Sequence, residues 1–195
     1  KINKESGIPL IGTIMFGVID RGSNLIQIRP TTICNLNCIF CSTDAGNKSK
    51  YHQVSYEVDV DYLLEWIKEI VNFKGENVEA NIDSVGEALC YKDIIKLIKE
   101  IKKINGIERI SMQSNGLLLT KEKIKELEEA GLNRINLSLH SLDDEKNKFL
   151  SGCENYNTNQ VVEVAELISK SKIELLLAPV FIPKNDKNIE DIIEL

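Results

Sequence analysis

Apolar and polar residues alternate strictly in several short stretches of this chain. Ile26 and Ile28 are set against Gln27 and Arg29, and Val78, Ala80 and Ile82 against Glu79, Asn81 and Asp83. Ile110 and Met112 oppose Ser111 and Gln113, while Ile135, Leu137 and Leu139 oppose Asn136, Ser138 and His140. A period of two marks a strand with one buried face. Between these stretches the period changes. Leu63, Trp66, Ile67, Ile70 and Val71 follow the i, i+3, i+4, i+7, i+8 pattern of an amphipathic helix, which Asp59 or Asp61 caps and Gly75 closes. Ile94, Leu97, Ile98 and Ile101 predict a second helix closed by Asn105-Gly106, and Ile124, Leu127 and Ala130 a third between Thr120 and Gly131. A helix from about Thr158 to Lys170, a strand from Ile173 to Val180 and a helix opening near Asn188 complete the pattern.

Strands alternating with helices at this spacing predict a parallel α/β sheet with right-handed crossovers. Five such strands fit into the 195 residues, whereas a closed eight-fold barrel needs ~250. The expectation is therefore an open, partial (β/α)6-type TIM-like barrel. Apolar segments before the turn cluster Asp20–Asn24 predict an N-terminal β-hairpin feeding the strand Leu25–Arg29. Residues 1–24 are read as this extension and residues 25–195 as the core domain, incomplete at its C-terminus. The chain begins at Lys1 and stops at Leu195 within a helical pattern, which predicts a piece of a longer protein.

The polar halves of the strands change the picture. Helices cover the apolar face, so the polar set must line the concave side. Such a wall is costly unless water or a ligand satisfies it, and parallel sheets are rarely left solvated on one face. The pattern predicts a cavity for a polar cofactor and a polar substrate. Arg29, Gln113, Asn136 and His140 are its candidate catalytic residues.

Composition excludes other classes. The hydrophobic fraction of 43% and charged fraction of 28% are ordinary for a globular domain. No apolar run reaches the ~20 residues needed to span a bilayer, and no secretory signal is present, so a cytoplasmic protein is expected. A net charge of −6 gives no general attraction to nucleic-acid phosphates.

Candidate metal chemistry lies between Ile33 and Asp44. Cys34, Cys38 and Cys41 are spaced C-x3-C-x2-C on the loop leaving the first core strand. A closed zinc site wants four protein ligands, and a cubane cluster normally takes four cysteines. Three leave one metal corner open, unless Cys90, Cys153, His52 or His140 completes a zinc site. Disulfides fit poorly, because three clustered cysteines cannot pair evenly.

The segment C34-N-L-N-C38-I-F40-C41 resembles the C-x3-C-x-Φ-C signature of the radical S-adenosylmethionine (SAM) superfamily, in which Φ is aromatic. The resemblance runs from about Leu25 to Asp186. It implies a [4Fe–4S] cluster on Cys34, Cys38 and Cys41, with SAM on the fourth iron, cleaved by one electron to methionine and a 5′-deoxyadenosyl radical. Oxygen sensitivity and a low-potential donor, a flavodoxin or ferredoxin, follow from it. Asp83–Ala88 is similar to the family's G-G-E-P segment. Gly86 and Glu87 match, while Val85 replaces the first glycine and Ala88 the proline. Ser114-Asn115-Gly116 and Asn136–Asp143 resemble the T-N-G and N-L-S-L-D-S-L-D segments of the molybdopterin GTP 3′,8-cyclase and peptide-maturase (SPASM-type) branch. Pro179–Asp186 resembles that branch's P-V-x-x-P-G-x-N-D turn in part, with Lys184 near the expected glycine. On this resemblance Phe40, Gly86, Glu87, Ser114, Asn115 and Ser138 bind the cofactor. His140 stands where the branch usually has Asp, as a structural histidine or a proton shuttle.

The implied substrate is a nucleotide, a peptide or a cofactor precursor, with RNA or tRNA modification as the alternative. A non-catalytic zinc or iron–sulfur module is the reading of another class, and a fragment that folds but is inactive is a third. Arg29 inside the cavity favours an anionic group. Cys90 and Cys153 are read as buried free thiols rather than ligands of a second cluster.

Overall fold

The computed structural model describes residues 1–51, 54–183 and 189–194. Among them a six-stranded sheet is ordered as the strands occur in the chain: β1 (Gly17–Asp20), β2 (Leu25–Arg29), β3 (Val78–Ile82), β4 (Ile107–Ser114), β5 (Arg134–Leu137) and β6 (Glu174–Leu177). β1 and β2 form the expected hairpin, antiparallel with Gly17 opposite Arg29 and Asp20 opposite Ile26. Every later pair is parallel. The result is an open α/β sheet with β1 and β6 at its edges.

The helices are α1 (Val60–Lys74), α2 (Ile94–Ile101), α3 (Lys121–Ala130), α4 (Asp144–Ser151), α5 (Thr158–Ser169) and α6 (Ile189–Ile193). Local chemistry sets their ends. The Asp59 carboxylate accepts from the N–H groups of Asp61 and Tyr62, which settles the α1 cap on Asp59. Thr120 and Asn157 cap α3 and α5 in the same way. Gly131 and Gly152 end α3 and α4 with left-handed backbone. The core lies between the helices and the apolar face of the sheet. Ile26, Ile28, Ala80, Ile82, Met112, Ile135 and Leu137 share it with Leu63, Ile67, Leu97, Ile98, Leu127 and Val161. Each fully buried aliphatic side chain here is worth ~1.5–3 kcal/mol relative to exposure. Ile2, Leu10 and Val18 from the N-terminal segment join the same core.

Several sequence expectations change. Strand pairing stops at Ile82, Leu137 and Leu177, before the anticipated Asp83, His140 and Val180, because the chain turns there to form the site. α4 was not anticipated. The last helix begins at Ile189; Asn188, His52 and the turn residues Lys184, Asn185 and Asp186 lie outside the described residues. After the cysteines, residues 44–51 fold back on the loop. The Asp44 carboxylate accepts from the N–H of Lys50 and Tyr51 at 2.7 and 3.1 Å, and Asn37 Oδ1 accepts from Lys48 N–H at 2.7 Å.

The polar face divides into two zones. Toward the N-terminal ends of the strands its side chains bond to one another. Asn81 donates to Ser111 at 2.7 Å, Ser111 to Glu79 at 2.6 Å, and Arg134 pairs with Glu79 at 2.6 Å. Toward the C-terminal ends it borders a cavity.

Candidate functional site

The cysteine loop leaves β2 through Pro30 and is fixed by the protein from several sides. Asn37 N–H donates to the Ser151 carbonyl at 2.9 Å and Ile39 N–H to Leu150 at 3.0 Å. The loop thereby takes up two of the carbonyls that the C-terminal end of α4 leaves unpaired. Asn115 Nδ2 donates to Asn35 Oδ1 at 2.7 Å, joining the loop to the turn after β4. Thr43 Oγ1 donates to the Val85 carbonyl at 3.2 Å and lies 3.3 Å from Cys41 Sγ.

Cys34, Cys38 and Cys41 all line one cavity of about 390 Å³. Cys41 Sγ accepts from the Ala45 N–H at 3.4 Å. Burial raises the Cys34 thiol, and it pushes Cys38 up to about 12, so an incoming metal must draw off those protons. Among the described residues no three His, Cys, Asp or Glu side chains converge as the ligands of a single ion would. A cubane gives each thiolate an iron of its own, so three sulfurs around one cavity suit it without meeting at a point.

The opposite wall comes from the strand ends. Gly86 sits where a side chain could not: a Cβ there would lie 2.0 Å from the Ile33 carbonyl oxygen. The next residue closes that approach, Glu87 N–H donating to Ile33 O at 2.8 Å. The Glu87 side chain is buried beneath the cavity. It accepts from Leu89 N–H at 3.1 Å, Ser114 Oγ at 2.9 Å and Asn115 N–H at 2.8 Å. Burial raises its pKa against the pull of those three donors. Glu87 thus holds together the two loops that the sequence assigned to cofactor binding, and the Ser114 hydroxyl and Asn115 amide are occupied in doing so.

The remaining predicted residues sort clearly. Arg29, Phe40, Gln113, Ser138 and His140 line the cavity. Asn136 does not; its half-buried side chain sits one pleat deeper, next to Leu137, and its Oδ1 has no partner among the described residues. Arg29 is not a free cation. It pairs with Asp83 at 3.1 Å and also donates to the Ile14 carbonyl, so the anion it was expected to attract is already supplied by the chain. His140 Nδ1 accepts from Val180 N–H at 3.1 Å, and burial lowers its pKa to about 4. It is neutral at pH 7 and braces the ends of β5 and β6 through that bond. Cys90 and Cys153 are half-buried and lie off the cavity, and burial pushes Cys90 up to about 11.

The sequence reading passed over residues that the structure brings to this wall. Tyr156 and Ser84 line it, each with a buried hydroxyl that has no partner among the described residues. Such orphaned polar atoms beside a cavity of this size fit a polar ligand.

A cysteine loop beyond a parallel strand, facing a glycine–glutamate turn across one cavity, places the chain in a known class. The family model "Radical SAM superfamily" matches residues 28–195, and the chain belongs to that family. It is 48% identical over 191 residues to an uncharacterized protein of Methanocaldococcus jannaschii, covering 96% of this chain and 44% of that one. It is 33% identical over 178 residues to the GTP 3′,8-cyclase of Aquifex aeolicus, covering 89% of this chain and 53% of that enzyme. The chain therefore spans about half the length of these relatives. Its fold matches that of Streptococcus suis SuiB bound to S-adenosylmethionine, with a TM-score of 0.69 at 19% identity over 87% of this chain and 36% of that one. SuiB bound to the precursor peptide SuiA gives the same TM-score, 0.69 at 20% identity, over 87% of this chain and 35% of that one. Among the described residues no helix is long and apolar enough to cross a membrane.

Proposed function

We propose that this chain is the core of a radical SAM enzyme whose Cys34, Cys38 and Cys41 hold a [4Fe–4S] cluster and whose cavity holds SAM and a polar substrate. The observation that carries the reading is the placement of those three cysteines, Gly86, Glu87 and Ser138 around one cavity of about 390 Å³. With both groups bound, the site supplies one-electron cleavage of SAM to an organic radical that takes hydrogen from the substrate.

The chain's own residues do the positioning. Glu87 fixes the turns after β3 and β4 and would so shape the wall that receives the methionine end of SAM. Phe40 sets its backbone along the adenine side, held by His140. Gln113 and Ser138 present polar atoms for the nucleoside or the substrate. The neutral Arg29–Asp83 pair walls the far side, and the surrounding protein excludes water from a reactive intermediate.

Relatives named GTP 3′,8-cyclase and the peptide-bound SuiB support a substrate of the nucleotide or peptide class; the family resemblance in the sequence implies a low-potential flavodoxin or ferredoxin as the reductant. Residues 25–195 form the core domain in this reading and residues 1–24 its extension.

Anaerobic reconstitution tests the proposal. The expected product is brown, holds about four irons per chain as a [4Fe–4S] cluster requires, and changes its spectrum when SAM is added. A colourless protein with one zinc would overturn it and favour a non-catalytic module.

A further inference from the structure

Tyr156 lies on the loop joining α4 to α5, outside every segment that resembles the family signature. The residue is 3% exposed, and among the described residues its buried Oη has no hydrogen-bond partner. Buried tyrosine hydroxyls ordinarily find one, and leaving one unpaired costs ~1–3 kcal/mol. The residue is held firmly: its N–H donates to the Cys153 carbonyl at 3.1 Å, in the segment where α4 docks on the cysteine loop. It lines the same cavity as Cys38 and lies within electrostatic reach of that sulfur.

The three cysteine sulfurs are unequally served. Cys34 has the N–H groups of Asn35 and Leu36 beside it. Cys41 receives the Ala45 N–H and lies 3.3 Å from the Thr43 hydroxyl. Beside Cys38 the described residues offer its own N–H. Hydrogen bonds to the sulfurs are among the factors that set a cluster's reduction potential.

We propose that the Tyr156 hydroxyl donates a hydrogen bond to the sulfur envelope of the bound cluster on its Cys38 side and thereby raises the cluster's reduction potential. Tyr156 is a positioning residue in this scheme: it stabilises the extra negative charge of the reduced cluster and touches no substrate. The inference rests on the cluster reading above.

The test compares the full chain with Tyr156→Phe, both reconstituted anaerobically. Removing the donor should make one-electron reduction about tenfold less favourable, a shift of about 59 mV to more negative potential. A solvent-exchangeable proton coupled to the reduced cluster in double-resonance spectra should vanish. The metal-free variant should unfold at the same temperature or a higher one, since it loses an unpaired buried hydroxyl; a purely structural tyrosine would destabilise it instead. If Tyr156→Phe holds no iron, 3-fluorotyrosine at position 156, a stronger donor of nearly the same shape, should shift the potential upward. An unchanged potential in an iron-loaded variant overturns this inference alone. A wild-type chain that takes up no cluster overturns this inference and the proposed function together.

Discussion

The ring of Phe40 meets that of His140 edge to face, with centroids 4.7 Å apart and planes at 78°. One residue comes from the cysteine loop and the other from the end of β5, so the contact closes the cavity from both sides. His140 is neutral here because burial lowers its pKa from 6.5 to about 4. The unfolded chain therefore binds a proton that the folded chain refuses. The resulting stability is fully present above pH 6.5 and is lost as pH falls toward about 4, by on the order of 3 kcal/mol at most. Thermal unfolding of the metal-free chain should show a midpoint that drops across this window. His140→Gln, which keeps an acceptor for Val180 N–H, should flatten the drop; equal slopes in the two proteins would refute the assignment.

The cysteines should divide by position. Alanine at Cys34, Cys38 or Cys41 should leave reconstituted protein with little iron and no SAM-dependent spectral change. Cys90→Ala and Cys153→Ala should bind iron as the parent does. Iron analysis decides it, and a Cys90 or Cys153 variant that loses its metal would mean that these residues are ligands after all.

Glu87→Gln should be more damaging than its shape suggests. Three donors converge on the carboxylate, and the amide nitrogen of glutamine would confront at least one of them. A loss of ~1–3 kcal/mol is expected, visible as a lower urea midpoint at unchanged slope. SAM binding, followed by calorimetry, should weaken about tenfold.

Gly86→Ala should move the loop, because its Cβ would lie 2.0 Å from backbone oxygen. SAM affinity should fall more than tenfold. Gly22→Ala makes a fair comparison: its φ of +71° strains any side chain, but the space around it is open. That variant should lose only ~1 kcal/mol of stability and bind SAM normally.

What could be read from the sequence was what local pattern encodes. The alternation through Gln27, Asn81, Ser111 and Asn136 located the strands, and Asp59, Thr120 and Gly131 marked helix ends, because each acts on neighbours within a few residues. The division of the polar face could not be read. Glu79, Ser111 and Arg134 come from separate strands, and only the register brings them together. That is also why Asn136 looked like a cavity residue while lying beneath the cavity. Helix α4 was missed because it buries little apolar surface, with Leu150 inside and Phe149 half exposed. Its end signals were nonetheless present: the Asp143 cap, the acids Asp144 and Glu145 in the first turn, and Gly152 at the close. Tyr156 had no signal of its own, since a lone aromatic in a polar loop acquires meaning only from what stands opposite it.

The two hydrogen bonds from Asn37 and Ile39 to the end of α4 bear on how the protein matures. A zinc finger without its ion has no shape to offer, and loading it is folding it. Here two backbone hydrogen bonds tie the cysteine loop to a helix with no metal among their partners, so a chain stripped of metal should stay folded and take it up again.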